Sequence, residues 1–137
     1  MHYVISKSFE FSAKHQLTHL PAGHKCARDH GHNYVVTVTL GAEQLDENGF
    51  VLDYGELGRF RAWLDNTLDH ENLNRVMGGP ILTTAESLAE SLFYIFLGLY
   101  PDVAPGAEAE EGARVRLVSM AVAETPKTLA VYTEPGP

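Results

Sequence analysis

Cys26-Ala27-Arg28-Asp29-His30-Gly31-His32-Asn33-Tyr34 is the stretch around which the sequence is organised, because it leads into the alternating run Tyr34-Val35-Val36-Thr37-Val38-Thr39-Leu40. Side chains two residues apart on a β-strand point to the same face of the sheet. A strand over about residues 30 to 41 would therefore place both histidines of this stretch on the face that carries its apolar side chains. The pattern predicts a strand that begins with two imidazoles at metal-ligand spacing.

A third histidine could join this pair. His15 lies at the end of the preceding β-like run, so a neighbouring strand could bring it beside His30 and His32. Six of the seven histidines lie in the first 32 residues, together with the only cysteine. Spacing alone leaves a metal site and a chance clustering of histidines equally open. Zinc is the ion we expect at such a site, since imidazole suits it well.

Length and composition predict one domain over residues 1–137 with an ordinary core. The chain is 45% hydrophobic and 20% charged, and it is long enough to bury a core without disulfides or structural metals. A metal here is therefore expected to be catalytic. Ten basic and eighteen acidic residues give a net charge of −8, which disfavours non-specific binding to nucleic acid. An anionic small substrate stays open, because Lys25 and Arg28 form a local basic cluster.

The same features predict a cytoplasmic protein. No apolar run reaches the length of a membrane span, and the first residues alternate like a strand instead of forming a secretory signal. A single cysteine cannot form an internal disulfide, which fits a reducing compartment. Cys26 is then a free thiol, and its basic neighbours argue against simple burial.

Periodicity predicts four strands and two helices. The first strand covers residues 2 to 12, and a long loop follows over residues 14 to 29. After the strand at 30 to 41, residues 50 to 53 could extend the sheet, and Asp53 could cap the next helix. That helix covers residues 54 to 67, and the chain leaves the helical pattern over residues 68 to 74. Gly78-Gly79-Pro80 breaks the chain.

The second helix is predicted to begin at a capping box of Thr83 and Glu86 and to end before Pro101. Residues 101 to 113 are expected to form a mobile acidic surface loop. A hairpin of two strands, residues 114 to 123 and 128 to 134, closes the chain. The order ββααββ predicts an α+β fold in which an antiparallel four-stranded sheet carries two helices on one face.

With these elements in order, the chain closely resembles the 6-pyruvoyltetrahydropterin synthase and 6-carboxytetrahydropterin synthase family over nearly its whole length. The resemblance implies the tunnelling fold, which has this ββααββ order, and assembly into hexamers with sites between subunits. Six motifs in order carry it: Phe9-Glu10-Phe11-Ser12-Ala13-Lys14-His15, the run from Cys26 to Tyr34, Val51-Leu52-Asp53-Tyr54, Leu68-Asp69-His70 with Leu73-Asn74, Thr84-Ala85-Glu86 and Glu124-Thr125-Pro126.

The resemblance also implies a role for each site residue. His15, His30 and His32 would be the zinc ligands, and Cys26 the general base. Asp69 and His70 would form a proton-relay pair, Glu124 would anchor the pterin ring, and Thr84 would add a contact there. From the residues alone, Asp69-His70 also fits a helix cap, and Glu124 fits a turn residue. His19 and His24 match no ligand position and are expected to be exposed loop histidines.

Two family activities use 7,8-dihydroneopterin triphosphate. The resemblance favours the one that gives 6-carboxy-5,6,7,8-tetrahydropterin, acetaldehyde and triphosphate on the way to queuosine, because the short chain and the Lys25-Cys26-Ala27-Arg28 context are similar to those of the bacterial 6-carboxy enzymes. The alternative is 6-pyruvoyltetrahydropterin synthase, which eliminates triphosphate without cleaving a carbon–carbon bond. An alternative of another class is a non-catalytic zinc module in which Cys26 joins the three histidines. A family branch with glutamate as the base is disfavoured, because no glutamate lies between His15 and His32.

Overall fold

Two long antiparallel strands, β1 (Tyr3–His15) and β2 (His30–Ala42), form the centre of a six-stranded sheet in the computed structural model, which describes residues 1–77, 82–107 and 112–134. Their register places Phe11 opposite Tyr34 and His15 opposite His30. The alternation seen in the sequence is therefore the alternation of buried and exposed side chains along these strands. β1 runs three residues beyond its predicted end and so includes His15.

The other strands flank this pair. Glu71–Asn72 (β3) pairs in parallel with β1, and Ala104–Pro105 (β4) pairs in parallel with Arg116–Ala123 (β5). β5 also pairs antiparallel with β2 and with Ala130–Tyr132 (β6). The sheet order is β3-β1-β2-β5-β4. β6 pairs with residues 120–122 of β5, farther along that strand than the two residues that pair with β4. The four predicted strands are confirmed, and the last two form the predicted hairpin. The sheet is six-stranded and mixed, not four-stranded and antiparallel, because β3 and β4 add two parallel pairings. They were not predicted, since a two-residue strand has no period to detect.

Three α-helices are present in the described residues, α1 (Gly58–Thr67), α2 (Leu73–Met77) and α3 (Ala85–Leu99). Both longer helices follow the predicted apolar spacing, and they bury Phe60 and Leu64 from α1 and Leu88, Leu92 and Phe96 from α3. The predicted first helix starts with a 3₁₀ turn, Tyr54–Leu57, before α1 begins. Its predicted cap is confirmed, because the Asp53 carboxylate accepts a hydrogen bond from Gly55 N–H at 2.8 Å.

Some predicted boundaries were wrong. Residues 50 to 53 form no strand, because the Asp46 carboxylate accepts the Phe50 N–H and holds the chain in a turn. α2 lies where no helix was expected. The capping box was one residue out of register: Thr84, not Thr83, caps α3. Gly78-Gly79-Pro80 lies outside the described residues, as do residues 108 to 111 of the predicted acidic loop, whose described part includes β4.

The two faces of the sheet differ in polarity. One face packs under the helices in an apolar core that includes Phe9, Phe11, Tyr34, Val36 and Leu117. The other carries hydroxyl pairs across β1 and β2, namely Ser6 with Thr39 at 2.9 Å and Ser8 with Thr37 at 2.8 Å. The three candidate ligands have the parity of the core face, so they lie where that face ends. In the described part of the chain, no helix has both the length and the apolar character needed to cross a membrane.

Candidate metal centre and active site

The three histidines of the sequence prediction converge at the ends of β1 and β2. His15 and His30 lie directly opposite each other, and His32 is the next residue of β2 on the same face. Their ring centroids are 4.5 Å (His15–His30), 4.9 Å (His30–His32) and 5.1 Å (His15–His32) apart. One ring nitrogen from each lies within 4.8 Å of the others. The strand register thus assembles a group of three potential metal ligands.

Two backbone carbonyls orient these rings. His15 Nδ1 donates to the carbonyl of Thr83 at 2.8 Å, and His30 Nδ1 donates to the carbonyl of Arg28 at 2.7 Å. A carbonyl oxygen only accepts, so the proton of each neutral ring is on Nδ1 and its Nε2 has a free lone pair. Bonds of this kind fix the tautomer and direction of metal-ligating histidines in known sites.

The remaining nitrogen atoms fit a cation. Nε2 of His15 lies 2.9 Å from Nε2 of His30, and two lone pairs at this distance repel each other unless they share a positive charge. His32 Nε2 is buried and has no hydrogen-bond partner among the described residues. Buried polar atoms in proteins are normally partnered. A metal ion accepting electrons from all three Nε2 atoms would satisfy both conditions.

Burial favours the neutral form of two of these imidazoles. It lowers the pKa of both His15 and His32, although the nearby carboxylate of Glu124 acts in the opposite direction on each. Histidine binds metals in its neutral form, so a lowered pKa preserves the ligand at mildly acidic pH. The His15 side chain is almost completely buried, with 1% of the residue exposed. The side of the centre that faces the protein core is therefore shielded from water.

Glu124 lies next to this centre, just after β5 ends. Its carboxylate Oε2 is 3.8 Å from His32 Nε2, and its side chain is 25% exposed. It lines an open cavity of about 750 Å³, within the range of small-molecule sites. The other lining residues are Asn33, Val35, Ala123, Thr125, Pro126, Lys127, Thr128 and Leu129. A carboxylate in such a cavity can accept two hydrogen bonds from a planar ligand edge.

Cys26 lies on a short 3₁₀ turn, Lys25–Ala27, in the loop that joins β1 to β2. Its carbonyl accepts a hydrogen bond from Leu17 N–H at 2.8 Å, two residues beyond His15. Gln16 donates from its side chain to the Ala27 carbonyl at 2.7 Å. These bonds fold the loop back onto the end of β1. Among the described residues, the potential ligand group contains the three histidines without Cys26, whose side chain is half-buried.

Asp69 and His70 form a contact pair beside β1. His70 Nδ1 lies 3.0 Å from Asp69 Oδ2, and Asp69 Oδ1 accepts from Ser12 N–H at 2.9 Å. This backbone bond, together with His70, lowers the pKa of Asp69. The His70 backbone has φ = 62°, a left-handed conformation that is uncommon for a non-glycine residue, and its side chain is 82% exposed. The carboxylate is thus bonded to β1 and His70, not to the end of α1.

Three further residues hold the site in place. Thr84 caps α3, and its hydroxyl accepts from Ser87 N–H at 3.2 Å. Thr83 was predicted as that cap, but it is buried, and its backbone carbonyl accepts the hydrogen bond from His15 Nδ1. The Asn74 amide bonds both Gln16 N–H and Gln16 C=O, at 2.7 and 2.8 Å. Sequence reasoning assigned no role to Asn74, and the only signal was its place in the Leu73-Asn74 motif.

Known proteins are similar to this chain in sequence and in fold. The family model described as 6-pyruvoyl tetrahydropterin synthase matches residues 4–135. A 6-carboxy-5,6,7,8-tetrahydropterin synthase of Synechocystis sp. is 34% identical over 143 aligned residues, covering 97% of this chain and 95% of that protein. One from Bacillus subtilis is 29% identical over 133 residues, covering 95% and 84%. The structure of Caenorhabditis elegans 6-pyruvoyl tetrahydropterin synthase has the same fold, with a TM-score of 0.75 at 24% identity over 97% of this chain and 96% of that one. Family model, relatives and fold agree, and the chain belongs to the 6-pyruvoyl tetrahydropterin synthase family.

Proposed function

We propose that this protein is a zinc-dependent 6-carboxy-5,6,7,8-tetrahydropterin synthase. It would convert 7,8-dihydroneopterin triphosphate to 6-carboxytetrahydropterin, acetaldehyde and triphosphate, as a cytoplasmic step of queuosine biosynthesis. The Synechocystis and Bacillus relatives are both named 6-carboxy-5,6,7,8-tetrahydropterin synthases, which supports the 6-carboxy product. The observation that carries the proposal is the group of three imidazoles with the Glu124 carboxylate 3.8 Å from one of them, because it brings a possible metal site next to a possible ring anchor.

His15, His30 and His32 are the proposed zinc ligands. A centre with three protein ligands retains open coordination positions. Bound zinc would act there as a Lewis acid toward the hydroxyls of the substrate side chain. The chain itself shields the core-facing side of the centre from water. Its backbone carbonyls accept the hydrogen bonds that orient the rings of His15 and His30.

Glu124 is the proposed anchor of the pterin ring. Its carboxylate would accept hydrogen bonds from the amino-pyrimidinone edge, and its 3.8 Å separation from His32 would set the distance between the ring and the metal. Thr84 is a proposed second contact. Its hydroxyl oxygen is used as the cap of α3, but its hydrogen can still be donated to a ligand.

Cys26 is the proposed general base and the Asp69–His70 pair the proposed proton relay. Asp69 would accept the Nδ1–H of His70, so that Nε2 of His70 can take up or release a proton. Exposed Lys25 and Arg28 on either side of Cys26 would attract an anionic substrate. The high exposure of His70 supports a site that is completed between subunits of a homohexamer, a dimer of trimers.

The test incubates purified, zinc-loaded protein with 7,8-dihydroneopterin triphosphate and measures acetaldehyde. Acetaldehyde together with 6-carboxytetrahydropterin supports the proposal. A 6-pyruvoyl product without acetaldehyde would assign the alternative activity, which is the activity named for the C. elegans protein.

Cys26→Ala separates the enzyme from a closed zinc module. If the protein is an enzyme with Cys26 as its base, the variant should keep its zinc and its fold and lose turnover. Loss of zinc together with unfolding would instead indicate that the sulfur is a structural ligand, and full turnover would refute the assignment of the base. His19→Ala, in the same loop, is the matched control and should behave as wild type.

A further inference from the structure

His24 is an exposed loop histidine, as predicted, and its ring also bonds the backbone of Cys26. His24 Nδ1 accepts a hydrogen bond from Cys26 N–H at 3.0 Å. His24 is the residue that precedes the 3₁₀ turn Lys25–Ala27, so the imidazole is the N-cap of the turn that carries the only thiol of the chain. We propose that His24 is a positioning residue for Cys26 and holds the thiol in its working place by capping this turn.

A cap has a large effect on so short an element. The first N–H groups of any helical turn have no partner within the turn, and side chains at the N-cap position satisfy them. A three-residue turn has almost no hydrogen bonds of its own, so it depends on its surroundings. Here Ala27 N–H bonds the His24 carbonyl at 3.0 Å, and Arg28 N–H bonds the Lys25 carbonyl at 3.3 Å.

The remaining ties of the loop do not replace this bond. His24 N–H bonds the Pro21 carbonyl at 2.8 Å, and Leu17 N–H bonds the Cys26 carbonyl at 2.8 Å. The first bond holds the residue before the turn, and the second holds the carbonyl of Cys26 but not its N–H. In the described part of the chain, the His24 ring is the only side chain that hydrogen-bonds Cys26. Loss of the ring would leave the Cys26 N–H without its acceptor and let the turn open.

The role is one of positioning and not of metal binding. His24 is absent from the group of potential ligands, which comprises His15, His30 and His32. Serine, threonine, aspartate and asparagine are the usual N-caps, and asparagine offers an acceptor oxygen in place of Nδ1. Asparagine at position 24 should therefore restore the cap, whereas alanine cannot. The functional part of this inference rests on the proposed role of Cys26 as general base.

The experiment compares His24→Ala and His24→Asn with wild type and with His19→Asn as matched loop control. Alkylation of the full-length protein by iodoacetamide is followed by mass spectrometry, and the single cysteine makes the labelled site unambiguous. An opened turn exposes the thiol, so we expect His24→Ala to be alkylated about fivefold faster, the factor that corresponds to losing a typical cap. His24→Asn and His19→Asn should label at the wild-type rate.

Turnover should move in the opposite direction. We expect kcat of His24→Ala to fall by about fivefold, the same cap factor, while KM and the zinc content stay as in wild type, and His24→Asn should regain the lost turnover. Wild-type alkylation in His24→Ala, or His24→Asn as defective as His24→Ala, would overturn the proposal. The alkylation assay needs no substrate, so it decides the positioning role even if the wild-type protein fails to convert the pterin.

Discussion

Single hydrogen bonds decide which atoms the candidate metal centre presents. The Thr83 carbonyl receives the Nδ1 proton of His15, and the Arg28 carbonyl receives that of His30. Both carbonyls belong to segments outside the two strands, one before α3 and one in the β1–β2 loop. The orientation of the ligands is therefore controlled from two separate parts of the chain, and neither control is visible as a side-chain motif.

Removing one imidazole should weaken the centre without unfolding the protein. His32→Ala removes a ligand whose Nε2 has no other partner in the described residues, so we expect zinc affinity to fall by at least about tenfold. Competition with a chromophoric chelator measures the affinity, and elemental analysis measures the zinc content. His19→Ala should bind zinc as tightly as wild type. Unchanged affinity in His32→Ala would exclude His32 from the ligand set.

Asp69 should contribute to stability in a pH-dependent manner. Its folded-state pKa is lowered, chiefly by the Ser12 N–H and also by His70. A carboxyl of this kind stabilises the folded state above its unfolded pKa of 3.8, and the contribution disappears as the pH falls through the lower folded value. Asp69→Asn keeps an oxygen that can accept from Ser12 but removes the charge. We therefore expect the variant to be less stable than wild type at pH 7.

Urea unfolding of Asp69→Asn and wild type at a series of pH values tests this sign. The difference in unfolding free energy should shrink as the pH falls below 3.8 and vanish once Asp69 is protonated in both states. A difference that grows on acidification would contradict the direction of the shift. The comparison uses metal-free protein, so that loss of a bound ion does not contribute.

At the scale of elements, the start of α3 and the candidate metal centre are one structural unit. Thr84 caps the helix with its hydroxyl, and the preceding residue, Thr83, gives its carbonyl to the His15 ring. A helix that began one residue earlier would move that carbonyl away from His15. The register of the cap therefore affects the ligand as well as the helix.

Two adjacent threonines should differ in their contributions to stability. Thr84→Ala removes the cap of α3 and should lower the free energy of unfolding by about 1 kcal/mol. Thr83→Val removes a buried hydroxyl that has no partner among the described residues and keeps the backbone carbonyl, so it should be nearly neutral or stabilising. Urea denaturation measures both. A larger loss for Thr83→Val would favour the capping box predicted from the sequence.

Periodicity predicted the elements that carry the site, but not the contacts between them. The parity of Phe9 and Phe11 on one strand, and of His32 and Tyr34 on the next, is local and could be read from the sequence. His15 lay beyond the predicted end of its strand, because the residues between Phe11 and His15 carry no large apolar side chain that would continue the alternation. The hydrogen bonds from the Asn74 side chain to the Gln16 backbone, and the capping of α3 by Thr84, depend on the backbone groups that meet in the folded chain. Local spacing in the sequence does not specify these groups. β3 was missed for the same reason, since only its partner in β1 makes it a strand.

At the scale of the whole molecule, the sheet has an apolar edge. β6 follows Leu129 and carries Val131, which are 65% and 55% exposed. Exposed edge strands with apolar side chains are sites of pairing with another chain. The three histidines, in contrast, come from a single chain. Assembly should therefore matter for completing the substrate site more than for holding the metal.

A charge on β6 should break the proposed hexamer while leaving the metal centre intact. Val131→Lys adds a charge to the exposed edge, and charged side chains protect edge strands from pairing. Light scattering after size-exclusion chromatography should then show a smaller species, with zinc content unchanged and turnover lost. Asn66→Lys adds the same charge to the exposed side of α1 and should remain wild type in size and activity. A wild-type monomer with full turnover, or a Val131→Lys hexamer, would show that this edge is not an assembly surface.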